Sequence, residues 1–302
     1  MISLQPSGEI LGATVHGIDL AQPLGDADFG AILQSLGRCG VLRFPTQRLD
    51  AAALREFSQR FGSIQGSLTG QFAAPGVPEV GILSNIVENG QPIGLADAGQ
   101  DWHTDMSYNQ TIGFVNVLYA VKVPRRNGQV LGATAFADMG AAYDELPSDL
   151  KNRLRGATVT HDFNKFWELM RSRPASERAP LTDDQRRRRP ASVHPIFMSH
   201  PITGRTVLYC NPGYGIRINE LDPDDSDRML QLLFEHQLQP RYQYVHTWAE
   251  GEVLMWDHIR TIHMAVADYG PEEHRLMLRC QVMADRVFDG AFRRSAVASI
   301  RA

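Results

Sequence analysis

The sequence predicts a mainly β protein, a β-sandwich or barrel decorated by peripheral helices. Three observations point there. Short apolar runs of strand length recur along the chain, 26 Gly and 17 Pro punctuate them as turns, and strands do not alternate with helices in the rhythm of parallel βαβ units. No linker, internal repeat or composition break interrupts the 302 residues, so one domain spanning 1–302 is expected.

In chain order, small and apolar residues alternating between glycines predict strands over 9–16 and 17–20. From Asp26 the period becomes helical, with Phe29, Ile32, Leu33 and Leu36 on one face and Gly40 as the stop. A strand over 41–44 ends at Pro45, and a second helix runs from an Asp50 N-cap through Leu54, Phe57 and Phe61 to Gly62. Strands over 79–83 and 114–123 flank a polar loop that reaches Gln100, and 139–155 has a helical pattern. The four arginines 186–189, between Pro180 and Pro190, read as a solvated mobile loop in a chain of negative net charge. Strands over 193–197 and 206–211 are joined by a turn at 201–205. A helix over 224–236 turns Met229, Leu230, Leu232 and Leu233 toward the core, and strands over 242–246, 253–256 and 275–282 complete the fold.

Charge and composition narrow the function. With 30 Lys+Arg against 34 Asp+Glu, the net charge of -4 recruits neither nucleic acid nor an anionic membrane, and a small-molecule partner is the default. Cys39, Cys210 and Cys280 are odd in number and widely spaced without a CxxC pair, which fits reduced thiols in a cytoplasmic protein. Residues 1–11 lack the basic-then-apolar pattern of a secretory signal, and no apolar run approaches the roughly 20 residues of a membrane helix.

The strongest local chemical signal is Trp102-His103-Thr104-Asp105. On a strand, positions i and i+2 share a face, so His103 and Asp105 would aim an imidazole and a carboxylate at one point. A second histidine would complete a two-histidine, one-carboxylate set that leaves three open positions on a metal. His263, in Thr261-Ile-His-Met-Ala265 after the apolar run 253–256, stands out, with His258 as its competitor. His161, His194, His200, His236, His246 and His274 lie in less structured or helical contexts. Finally, Arg275 and Arg279 alternate with apolar residues in Arg275-Leu-Met-Leu-Arg279; on an inner face they would demand carboxylate partners, which a dicarboxylate co-substrate supplies.

Across nearly its whole length the sequence resembles the taurine dioxygenase / phenoxyacetate dioxygenase family of Fe(II)- and 2-oxoglutarate-dependent oxygenases. The resemblance rests on Gly12-Ala-Thr-Val-His-Gly-Ile-Asp-Leu20, Arg60-Phe-Gly62, Trp102-His-Thr-Asp105, Leu118-Tyr-Ala120, Thr134-Ala-Phe-Ala-Asp-Met139, His194-Pro195, Thr203-Gly-Arg205, Asn211, Trp256-Asp257, His263, Ala267-Asp-Tyr269 and the paired arginines. It implies a double-stranded β-helix (jelly roll, cupin-like), with His103, Asp105 and His263 as iron ligands. It also implies that Thr134 and Arg275 hold the distal carboxylate of 2-oxoglutarate, with Arg279 near the other carboxylate or an anionic substrate group. The implied reaction consumes O2, releases succinate and CO2, and hydroxylates a C–H bond, with or without loss of a sulfur-, phosphorus- or ether-linked group. Asp105, rather than Ala or Gly, argues against a halogenase variant.

By the same resemblance Tyr214 is an aromatic pocket residue, Met106 and Tyr108 are further substrate-binding candidates, Phe136 packs against the iron site, and the segment 160–190 is a lid. Family members are commonly dimers or tetramers, which implies a homo-oligomer. Some positions depart from the pattern. Ser67 stands about where the taurine enzyme has its sulfonate-binding histidine, and Gly99 replaces an asparagine, which argues against taurine as substrate. The turn before Thr134, Asn127-Gly-Gln-Val-Leu-Gly-Ala, is longer than the compact family turn. A metal-dependent hydrolase or isomerase using the same ligands, and a non-catalytic binding protein on the same scaffold, are the competing classes.

Overall fold

The computed structural model describes residues 2–66, 71–173, 176 and 178–294. Ser67 lies outside them.

Two β-sheets carry the architecture. The larger has nine strands, eight of them in the order Ser3–Pro6, Ala13–His16, Val41–Phe44, Val253–Asp257, Gly113–Lys122, Leu276–Met283, Val77–Ser84 and Ala73–Ala74, and Ile64–Gln65 pairs off this path with Leu276–Met283. The central strands are apolar on both faces: the first eight residues of Gly113–Lys122 and all of Val253–Asp257 are buried, as expected for strands covered on each side. The smaller sheet places Thr134–Asp138 between Gln243–His246 and Thr261–Ala265. Phe136 on the small sheet meets Trp256 on the large one edge to face, ring centres 5.4 Å apart, within a cluster that includes Leu118, Leu254 and Met277. The result is a double-stranded β-helix, two facing sheets rather than a closed barrel.

Helices cover the outer face. Asp26–Cys39 buries Phe29, Ile32, Leu33 and Leu36 and ends at Gly40, whose φ of 70° suits glycine. Ala51–Gln59 starts at Asp50, whose side chain accepts from Ala53 N. Among the described residues no helix is long and apolar enough to cross a membrane.

Several expectations need correction. The first hairpin pairs Ser3–Pro6 with Ala13–His16, and neither 9–12 nor 17–20 is a strand. The 139–155 pattern is two helices, Met139–Asp144 and Ser148–Arg153, split where Pro147 removes a backbone donor. In helix Pro223–Gln237 Leu232 is exposed, one position off the stripe formed by Met229, Leu230 and Leu233. The arginine run is partly helical: Asp183–Arg187 opens with a capping box between Thr182 and Gln185, and Arg187 and Arg188 pair with Asp184. His161, His194 and His246 lie on strands and are buried.

Candidate metal centre

His103 and Asp105 do not share a strand face. His103 makes only an isolated bridge to His263, its N–H donating to His263 O at 3.0 Å and its carbonyl accepting from His263 N at 2.8 Å. The chain then turns: Thr104 donates to Thr261 O at 2.7 Å, and Met106 adopts a left-handed φ of 60°. This turn, rather than strand alternation, swings Asp105 back toward the two imidazoles. His103 and His263 are 160 residues apart in sequence, yet their ring centres lie 4.3 Å apart.

Donor atoms of His103, Asp105 and His263 all lie within 4.8 Å of one another, and each of the three residues is buried. His103 Nδ1 donates to Asp101 O at 2.7 Å, a bond that orients the ring and turns Nε2 toward Asp105 Oδ1, 3.4 Å away. His263 is instead wedged by rings, Trp256 at 5.0 Å and Phe136 stacked at 6.2 Å. Burial, reinforced by His103, holds His263 well below the ordinary imidazole pKa, so it is neutral and its lone pair is available. Burial alone would raise Asp105, but hydrogen bonding and charge from His103, then Arg279 and His263, hold its carboxyl well below the usual range. Two imidazoles and one carboxylate, buried and converging, suit a divalent first-row metal. His258 is buried with Nε2 4.0 Å from Asp105 Oδ2 and lies outside the three-residue group.

Thr134 is buried at the start of its strand and accepts a hydrogen bond from Trp248 Nε1 at 3.0 Å. Arg275 is also buried, just before strand Leu276–Met283; its backbone is fixed by Asn85 and Ser84, while its Nε has no partner among the described residues. Burial lowers its pKa, opposed by Tyr269. A buried guanidinium with an unused donor is a receptor for a carboxylate. Arg279 reaches the metal group itself, with NH1 4.0 Å from Asp105 Oδ2. A register shift between Leu276 and Met277 breaks strict alternation between the two arginines.

Aromatic residues wall the other side. Phe166 lies 4.8 Å from the His103 ring and 5.1 Å from Tyr214, and Tyr214 lies 4.8 Å from Tyr108, which in turn packs on Phe163. Met106 is fully buried in the same cluster. Gly99 and Gly213 keep this space open: a Cβ would come within 3.1 Å of His103 Cε1 at Gly99 and 2.8 Å of His103 Cβ at Gly213. Phe163 and Phe166 belong to helix Phe163–Arg171, capped by Asp162 and tied down by Lys165 Nζ donating to Gly215 O at 2.7 Å.

Three residues of the site carry no role in the sequence reading: Asp101, Asn116 and Trp248. Asn116 leaves a trace, as the one amide in the apolar run 114–120. Nothing local marks the other two.

The chain matches the family model described as "Taurine catabolism dioxygenase TauD, TfdA family" over residues 3–281. It is 33% identical over 293 residues to pentalenolactone F synthase of Streptomyces avermitilis, covering 92% of each chain. It is 28% identical over 293 residues to the alpha-ketoglutarate-dependent 2,4-dichlorophenoxyacetate dioxygenase of Cupriavidus pinatubonensis, covering 93% of this chain and 98% of that one. Among solved structures, a taurine dioxygenase from Burkholderia xenovorans superposes with a TM-score of 0.74 at 27% identity, covering 94% of this chain and 91% of that one.

Proposed function

The chain belongs to the taurine catabolism dioxygenase TauD, TfdA family of alpha-ketoglutarate-dependent dioxygenases, and from that premise we propose that it binds Fe(II) through His103, Asp105 and His263 and hydroxylates a molecule with a bulky apolar body and an anionic group. The observation that carries this reading is the convergence of the three buried donors with Arg279 beside them.

A metal held by His103, Asp105 and His263 would supply the O2-dependent oxidative decarboxylation of 2-oxoglutarate, one oxygen atom of O2 ending in succinate alongside released CO2 and the other in the hydroxylated substrate C–H bond. The protein supplies position and dryness. Arg275, with its unpartnered Nε, and Thr134 hold the distal carboxylate of the co-substrate. Arg279 neutralises an anion next to Asp105, either the near carboxylate of the co-substrate or a substrate group. Tyr108, Phe163, Phe166 and Tyr214 exclude water and offer flat apolar surface to the substrate body. Hydroxylation beside a heteroatom would release that group.

Apolar walls of this kind support a ring-bearing carboxylate over a short sulfonate. The named activity of one relative, on 2,4-dichlorophenoxyacetate, points the same way. The test is a succinate-release screen with Fe(II), ascorbate and 2-oxoglutarate against aryloxyalkanoates, terpenoid carboxylates, sulfonates, phosphonates and amino acids. Ring-bearing carboxylates should stimulate succinate release that the His103→Ala variant lacks. A preference for taurine, or an Arg279→Ala variant with unchanged affinity for both substrate and 2-oxoglutarate, would overturn the reading.

A further inference from the structure

Asn116 sits in the interior of strand Gly113–Lys122, only 1% exposed, between register partners Trp256 and Gln281. Every residue around it from Phe114 to Ala120 is buried and, Asn116 apart, hydrophobic. Its Nδ2 donates to Asp105 Oδ2 at 3.2 Å, and its Oδ1 has no partner among the described residues. A buried amide carbonyl left unpaired destabilises the fold, and a leucine of similar volume would fill the position without that cost. Packing therefore does not account for this residue. Its one hydrogen bond does, and that bond ends on a residue of the metal group.

The two oxygens of Asp105 have different surroundings. Oδ1 is 3.4 Å from His103 Nε2. Oδ2 faces the Asn116 amide at 3.2 Å, with His263 Nε2 at 3.8 Å and His258 Nε2 and Arg279 NH1 each at 4.0 Å, so among the described residues Asn116 alone is within hydrogen-bond reach of it. We propose that Asn116 is a positioning residue that holds Oδ2 of Asp105, so that the carboxylate meets the metal through Oδ1 alone. This rests on the reading of His103, Asp105 and His263 as metal ligands. Its consequence is an open position: three single-atom donors leave three of six places on an octahedral ion, of which a chelating 2-oxo acid takes two. A carboxylate gripping with both oxygens would take a fourth and leave none beyond the co-substrate.

The test titrates Mn(II) alone into the metal-free full chain, following free Mn(II) by electron paramagnetic resonance and bound waters by proton relaxation. Asn116→Leu should melt, without metal, no lower than the parent protein, yet bind Mn(II) about tenfold more weakly or worse, with bound waters falling from about three to about two. Asn116→Ser, too short to reach Asp105, is read the same way if the leucine variant does not fold. Affinity within twofold of the parent, or unchanged hydration, overturns the proposal. His103→Ala and Asp105→Ala separate the two levels: if they also keep parent affinity, the ligand reading falls and this inference with it. If they lose Mn(II) while the Asn116 variants keep it, only this inference falls.

Discussion

An indole N–H can only donate, so the hydrogen bond from Trp248 to Thr134 obliges the threonine oxygen to accept and leaves its own hydrogen for another partner. With Arg275 also buried and holding an unused donor, the partner expected from the proposed function is the distal carboxylate of 2-oxoglutarate. Thr134→Val should raise KM for 2-oxoglutarate about tenfold or more, the value of a hydrogen bond to a charged group. Trp248→Phe, which keeps the ring and removes the N–H, should raise it about two- to tenfold, with KM for the organic substrate unchanged. Steady-state kinetics varying each reactant separately checks both, and equal shifts in the two KM values would refute the assignment. Trp248 shows why part of a site stays invisible in sequence. His103, Asp105, His263 and the arginines are legible because their chemistry is unusual wherever it occurs, whereas a tryptophan matters here only through the partner that the fold sets against it. Asp101 is hidden for another reason: it acts on His103 through a backbone carbonyl, which every residue has.

At the scale of elements, helix Phe163–Arg171 sets Phe166 against the His103 ring, and two ion pairs from the later residues Arg173 and Arg178 reach the loop before His103. Arg178 grips Asp97 through two bonds of 2.7 and 2.9 Å while stacking on Trp167, and Arg173 reaches Asp101 Oδ2 at 3.1 Å. The Arg178 side chain is 13% exposed, so its pair is shielded better than a surface bridge, and ~1 kcal/mol is a fair value. Arg178→Ala should therefore open the 160–190 segment about fivefold more often. Limited proteolysis within 160–190 should accelerate by that factor and slow again with substrate and 2-oxoglutarate; a cleavage rate indifferent to both would refute the lid. The aromatic residues and arginines of 160–190 suggest a mobile loop, and the helices Phe163–Arg171 and Asp183–Arg187 within it were not legible. The sequence Thr182-Asp-Asp-Gln185 has the pattern of a helix-capping box, and the structure starts helix Asp183–Arg187 there. The central strands were readable because burial on both faces leaves long apolar runs. The His103–Asp105 turn defeated a strand reading because it depends on a left-handed Met106, a conformation no residue type announces.

For the whole molecule, the demand for a dry centre extends to histidines that bind nothing. His161 is completely buried 5.6 Å from the His194 ring, its Nδ1 beside Ser107 Oγ, and burial followed by the charges of His194 and Lys165 lowers its pKa to about 3. His258 falls to about 4, again chiefly through burial. In the unfolded chain both titrate near 6.5. Their folded pKa values are depressed, so the unfolded chain takes up protons that the folded one refuses. Stability is therefore complete above about pH 6.5 and is lost as pH falls from there toward 4 and 3, by ~1.4 kcal/mol per pH unit for each histidine at full slope. Between pH 6.5 and 5 the pair removes roughly 3–4 kcal/mol, equivalent to about 5 °C in Tm for a chain of this length. Calorimetric melting of the metal-free protein across this range should show at least that fall, since burial lowers His263 and His194 as well, and His161→Asn, which stays neutral, should remove roughly 1.5–2 kcal/mol of it. A Tm independent of pH, or an asparagine variant as acid-sensitive as the parent, would show that these imidazoles accept protons without unfolding. The same burial that keeps His263 neutral for a metal thus makes the surrounding fold acid-labile, and the two properties should move together in any variant that admits water to the centre.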